Sequence, residues 1–162
     1  MLKQIISGGQ YGADQGGSEA AITLGLEPGG FIPKNYLTER GALSLDFVWR
    51  WKLTEHNATG YPPRTAANVR WGHGTVIFGD VTSAGSKLTL RLCKEEGKPC
   101  LTNPTSDQLK RWVEENKIEI LNVAGNRESK APGIYQQVHD TIVAAFGGKY
   151  GCFLRSDQQR RA

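Results

Sequence analysis

An apolar run that turns straight into a cluster of glycines comes almost at the start of the chain: Ile5-Ile6-Ser7-Gly8-Gly9-Gln10-Tyr11-Gly12-Ala13-Asp14-Gln15-Gly16-Gly17. A strand feeding a helix through such a turn commits the chain to a β–loop–α unit. The glycines tolerate positive φ and let a ligand come close to the backbone. Loop amides and the first turn of the following helix together favour phosphate or another anion. Ser7, Gly8, Gly9, Gln10, Gly12 and Asp14 are therefore candidate binding residues.

Strand and helix patterns go on alternating, which predicts an α/β domain: a Rossmann-like, doubly wound, mainly parallel sheet of about five strands with helices on both faces. Strands are expected at Leu2–Ser7, in the short piece Leu26–Pro33, and at Thr75–Phe78, Cys100–Thr102 and Ile118–Val123. Helices are expected from about Asp14 to Leu24, stopped by Gly25, and from Arg64 to Arg70. A third carries Leu88, Leu92 and Cys93 on one face, and a fourth follows a Thr105–Gln108 capping box. The last begins near Pro132 and aligns Ile134, Val138 and Ile142. Lys34–Pro63 has no clean period and is too aromatic for simple disorder, so a lid or wall over the ligand edge is expected there.

The chain of 162 residues is read as one domain, residues 1–148, with a basic, flexible tail at 149–162. Lys149, Arg155, Arg160 and Arg161 against Asp157 place three of the four net positive charges in that tail. The body is then nearly neutral, which argues against a nucleic-acid surface. No run of about 18 apolar residues is present, so a membrane span is not expected. Neither is a signal peptide, and a cytoplasmic protein is the expectation. Cys93, Cys100 and Cys152 match no zinc spacing and are read as reduced thiols.

Ligands of open parallel sheets bind outside the carboxyl ends of the strands. Three loops should meet there: residues 7–17, 79–87 and 124–133. The second offers Thr82, Gly85 and Ser86 at a helix start. The third offers Arg127 and Ser129, with Lys130, ahead of the last helix. Cations beside the positive end of a helix dipole call for an anion between them. No carboxylate pair, nucleophile or metal-ligand spacing emerges, and His56, His73 and His139 stand alone. Phosphate-gripping residues without an evident acid and base suit binding better than turnover, and neither catalytic nor metal-binding residues are assigned.

With those residues in view, the chain resembles the molybdenum cofactor carrier family, a Rossmann-like group related to the lysine-decarboxylase-like nucleotide-binding proteins. The resemblance spans roughly residues 4 to 146. It rests on Ile6-Ser7-Gly8-Gly9-Gln10 with Gly12-Ala13-Asp14, Gly29-Gly30-Phe31-Ile32-Pro33-Lys34, Arg64-Thr65 with Asn68-Val69, and Gly74-Thr75-Val76-Ile77. It closes on Leu121-Asn122-Val123-Ala124-Gly125, Arg127-Glu128-Ser129-Lys130 and Pro132-Gly133-Ile134. The resemblance implies a homo-oligomer, dimer or tetramer, that holds molybdenum cofactor (molybdopterin), a pterin with a dithiolene-bound metal and a terminal phosphate. It would deliver this cargo to a molybdoenzyme. The ligand would lie against Ser7, Gly8, Gly9, Gln10, Gly12, Asp14, Thr82, Gly85, Ser86, Arg127 and Ser129. The chain has Tyr11 where that family has Thr, and Ser83-Ala84-Gly85-Ser86 where a Gly-Gly-Thr turn is usual. Two alternatives stay open: a nucleoside-monophosphate phosphoribohydrolase-like enzyme and a nucleotide-sensing module. Against the first, the stretch Thr82–Thr89 lacks the full PGGxGT-E signature of such enzymes.

Overall fold

Five strands pair in the order β2-β1-β9-β7-β8, and every pairing is parallel. The elements of this computed structural model, which describes residues 1–149, run along the chain as β1 (Gln4–Ser7), α1 (Ala13–Leu24), β2 (Glu27–Gly29) and β3 (Phe31–Ile32). Then come β4 (Leu37–Thr38), β5 (Gly41–Ala42), α2 (Leu45–Arg50), β6 (Thr54–Glu55), α3 (Tyr61–Trp71) and β7 (Gly74–Phe78). The chain continues through α4 (Ala84–Glu95), β8 (Cys100–Thr102), α5 (Ser106–Glu115), β9 (Ile120–Gly125) and α6 (Ile134–Phe146). The expected α/β sheet is present, with the last strand at its centre. The expected basic tail and Cys152 lie outside the described residues, apart from Lys149 at the boundary.

The inner strands β1, β7 and β9 are short, mostly apolar and largely buried, as befits a sheet covered on both faces. Ile5, Val76, Phe78, Leu121 and Val123 join a core with Leu109 and Val113 of α5 and Ile134, Val138 and Ile142 of α6. α3 and α4 make the other layer, where Val69, Leu92 and Cys93 are buried together. α1 is wedged between β9 and α6, which explains its small residues. A side chain on Gly16 would overlap the Tyr135 carbonyl, and one on Gly17 would strike Val123. The Thr105–Gln108 capping box forms as expected: Gln108 N donates to Thr105 Oγ1 (3.3 Å) and Thr105 N to Gln108 Oε1 (2.9 Å).

The expected piece Leu26–Pro33 splits into β2 and β3, which join different sheets, several strand ends move by one or two residues, and two further shifts have clear local reasons. β9 runs on to Gly125 because its pairing with β7 extends through Phe78↔Gly125. α3 starts three residues before Arg64, with Pro62 and Pro63 in its first turn, where a missing N–H costs nothing. The segment without a period is built rather than loose. β3 pairs with β6, β4 with β5, and Val48, Trp51 and Leu53 bury themselves on Ile32. Trp51 is thus a core residue and Trp49 stays 69% exposed. Neither covers the ligand edge; from this segment only Tyr61 and Pro62 reach it.

Glu19 of α1 fastens this segment to the sheet. Its carboxylate accepts from Arg50 Nη2 (2.5 Å) and from Trp51 Nε1 (3.0 Å). The bond from Arg50, and after it the one from Trp51, hold the carboxyl below the usual glutamate range. A depressed carboxylate stabilises the fold above its unfolded pKa and loses that contribution as pH falls through the folded value. Arg50 is half exposed, so water screens its share and the Trp51 bond carries the rest. Glu19→Gln is expected to lower stability by about 1 kcal/mol at pH 7. In urea unfolding followed by tryptophan fluorescence, that deficit should vanish as pH drops below about 4.

Candidate functional site

At the carboxyl ends of β1, β7 and β9 the backbone opens into a cleft of about 340 Å³, walled by the starts of α3 and α4. Gly8, Gln10 and Asp14 of the first loop, Gly85 and Ser86 of the second and Arg127 of the third all line it. The loops meet because Asn126 fastens them together. Its carbonyl accepts from Ala13 N at the start of α1 (3.1 Å), its Oδ1 accepts from Asp80 N, and its Nδ2 donates to Ser83 Oγ (3.3 Å). Gly12, at φ 128°, bridges to Arg127, and a side chain there would run into the Asn126 carbonyl and the Glu128 amide.

The other expected residues support this cleft without lining it. Ser7 is fully buried and shares a hydrogen bond with Ser18 Oγ (2.9 Å). Gly9, at φ 74°, makes room for Ile32 and Leu53. Thr82 folds back on Asp80, to which its amide and hydroxyl both donate (2.8 and 2.6 Å). Ser129 Oγ donates to Glu39 Oε2 (2.6 Å).

Two anion sites expected from the loops are filled by the protein's own carboxylates. The amide of Gln10 donates to Asp14 Oδ2 (3.2 Å), so the glycine loop closes on an internal carboxylate. The start of α6 is likewise taken by Glu128, whose oxygens accept from Gly133 N (2.5 Å) and Tyr135 N (3.0 Å). This relieves the opposition between the third-loop cations and the helix dipole without any ligand. α4 is different: its start opens into the cleft at Ala84, Gly85 and Ser86, with only the Ser86 amide spent on the Ser83 cap (3.3 Å).

What the loops do not offer, side chains from α3 and β9 do. Arg64 reaches under Gly8, where any Cβ would overlap its guanidinium, and its Nη1 stands 3.4 Å from Asp14 Oδ2. Burial pushes the Asp14 carboxyl up, against the pull of Arg64; burial likewise pushes Arg64 down, against the pull of Asp14. Arg64 is only 9% exposed and Gln10 only 7%, yet Arg64 Nε and Gln10 Nε2 are buried without any hydrogen-bond partner. Gln10 is oriented by its Oε1, which accepts from Glu39 N (2.8 Å). Arg127, the third charged group of the lining, stands over the Tyr61 ring at 4.8 Å. Among the groups that line the cleft, two guanidinium groups stand against one carboxylate; Glu39, whose amide holds Gln10, has its Oε1 buried without a partner as well.

Asn68 and Asn122 complete the polar floor. Asn68 Oδ1 accepts from Phe31 N (2.7 Å) and its Nδ2 donates to the carbonyls of Ser7 (3.3 Å) and Phe31 (3.0 Å). Asn122 Nδ2 donates to Thr75 Oγ1 (3.2 Å). Sequence reasoning left Tyr61, Arg64, Thr65, Asn68, Thr89 and Asn122 out of the site, although Arg64, Thr65, Asn68 and Asn122 stood in the resemblance motifs. Arginine and asparagine inside apolar elements were the usable signal, since such groups are seldom buried without a polar task. Among the described residues, no cluster of three or more His, Cys, Asp or Glu is placed to hold a metal ion. His139 is a structural residue, between Thr23 Oγ1 (3.0 Å) and Asp140 (2.9 Å).

The model of one family, described as the circularly permutated YpsA SLOG family, matches residues 5–146. The chain belongs to that family. It is also similar to the crystal structure of a "Putative molybdenum carrier protein" from Syntrophus aciditrophicus SB, with a TM-score of 0.80 and 32% sequence identity. That match covers 90% of this chain and 94% of the other, so fold and length agree throughout. No curated protein matches the chain. Within this permutated YpsA fold, Asn126 holds three loops at one point, its main-chain carbonyl on α1 and its side chain on Asp80 and the α4 cap. Asn126→Ala should cost about 1 kcal/mol, because its two side-chain bonds lie at exposed and half-buried positions and the carbonyl bond to Ala13 survives. Hydrogen exchange should show the amides of residues 79–83 losing protection before those of the sheet; uniform loss would count against this role.

Proposed function

We propose that this protein is a carrier that binds a small phosphorylated ligand in the cleft between α3 and α4, and that the cargo is molybdenum cofactor, handed on to a molybdoenzyme. The observation that carries this reading is the pair of buried, unpartnered donors, Arg64 Nε and Gln10 Nε2, in a recess whose lining sets two guanidinium groups against one carboxylate. An unmet buried donor costs about 1–3 kcal/mol, so the protein gains when an acceptor enters. The terminal phosphate of the cofactor is such an acceptor, since it combines negative charge with several oxygens. Arg64 and Gln10 would hold it from the floor, Arg127 from the third loop, and Gly85 and Ser86 from the start of α4. Ser7, Gly9, Gly12, Thr82 and Ser129 would keep these groups in place. Similarity to a protein named as a molybdenum carrier supports the choice of cargo.

The test is thermal unfolding with phosphorylated pterins, molybdenum cofactor among them, and with nucleoside monophosphates as a comparison. A ligand at one hundred times its Kd should add about 2.7 kcal/mol to stability. Arg64→Met should abolish the shift, and Arg127→Ala should weaken binding at least tenfold with little change in the unliganded melting temperature. Unaltered affinity in Arg127→Ala would remove that residue from the site. No stabilisation by any phosphorylated pterin would falsify the carrier reading, and cleavage of a nucleoside monophosphate would replace it with an enzymatic one.

A further inference from the structure

Among the described residues that line the cleft, Asp14 is the single acid, and gripping an anion gives it no task. Its buried carboxylate is fixed through Oδ2, which accepts from Gln10 N (3.2 Å) and from Arg64 Nη1 (3.4 Å). An ionised carboxylate has about four acceptor positions and nothing to donate, so it can still take a hydrogen bond from a guest. The other titratable groups of the lining are Arg64 and Tyr61 from α3 and Arg127 from the loop after β9; α4 and β9 bring none. Glu39, in the turn between β4 and β5, bonds Gln10 through its amide and Ser129 through its carboxylate.

The buried donors without partners, Arg64 Nε and Gln10 Nε2, belong to the two residues that hold Asp14. An oxyanion that accepts from them arrives beside the carboxylate. If every oxygen of the guest is ionised, like charges meet out of water, where their repulsion is least screened. One proton between guest and carboxylate converts that repulsion into a charge-assisted O–H···O⁻ hydrogen bond. Guests of one shape are then told apart by whether they can hold a proton near neutral pH. A phosphate group can, with a second pKa of about 6. A sulfate cannot.

We propose that Asp14 makes the cleft selective for oxyanions that enter with one proton, phosphate groups over sulfate groups. This rests on the anion reading above and adds a specificity residue to it, since Arg64, Gln10 and Arg127 would grip either anion alike. The proton lies between a guest oxygen and the Asp14 carboxylate. It comes from the guest or, with a loss of affinity, from solvent. Burial, which raises the Asp14 carboxyl above the usual aspartate range against the pull of Arg64, acts in the same direction.

The experiment is titration calorimetry on the full chain with inorganic phosphate, arsenate and sulfate. These are tetrahedral anions of similar size, and only the first two hold a proton near neutral pH. At about pH 7 phosphate and arsenate should each bind roughly 10- to 100-fold more tightly than sulfate, the range of one charge-assisted hydrogen bond. Sulfate binding, compared in buffers of different ionisation heat, should take up close to one proton, and its affinity should rise by up to about tenfold per unit as pH falls from about 8 to about 6. Asp14→Asn, whose amide can donate where the carboxylate accepts, should bring sulfate to within about threefold of phosphate. A purely structural role would change both affinities alike. Sulfate as tight as phosphate in the wild type, arsenate grouped with sulfate, sulfate binding without proton uptake, or selectivity unchanged in Asp14→Asn would overturn the selection and leave the anion site standing. Failure of all three anions to bind would overturn both.

Discussion

Asp14 is the group on which the site turns. A buried carboxylate at the start of a helix accepts from the amide of Gln10 and pairs with the guanidinium of Arg64. The glycine loop is thereby wrapped around its own residue, and α3 is tied to β1 through the side chain that reaches under Gly8. Desolvation works against both partners of the pair, so it exists at a cost that surrounding contacts must offset. The pair binds through Arg64 Nη1 alone, which leaves Nε, buried and unmet, for the cleft.

An anion-binding loop can work through backbone amides or through side chains. Amides are fixed by the turn and favour phosphate irrespective of what is attached. In this fold the amides of the first loop and of the α6 start are consumed internally, by Asp14 and Glu128. On the proposed function, guest recognition would pass to Arg64, Gln10 and Arg127, which come from α3 and two different loops. Such a site depends on tertiary contacts: Gln10 is aimed by Glu39, and Arg64 is seated by the missing side chain of Gly8.

Much of the architecture could be read from residues alone, because strand–loop–helix periodicity and caps are local signals. The Thr105–Gln108 box, the Gly25 stop and the glycine loop each act within a few positions. The meeting of three loops at one rim also followed from the strand pattern. Partner choice inside the site did not, since nothing local says that the Gln10 amide donates to Asp14, or that Glu128 caps the helix five residues on. Arg64 was passed over for the same reason: its role depends on burial across from β1, fifty positions from Asp14. Residues 34–63 gave no period because they form short paired strands and a two-turn helix, each too brief to leave one.

The place of β9 in the sheet bears on how the molecule comes into being during synthesis. β1 with β2 and β7 with β8 are two separate pairs, joined in the sheet only through β9. A ribosome that has made residues 1 to 119 has supplied both pairs and not the strand between them. Until Ile120–Gly125 emerges, each pair presents an open edge, which is a template for pairing with other chains. The same stretch brings Asn122, and Asn126 and Arg127 follow directly. Floor, loop junction and cation therefore arrive together with the closing strand, and the cleft cannot assemble before the sheet is whole.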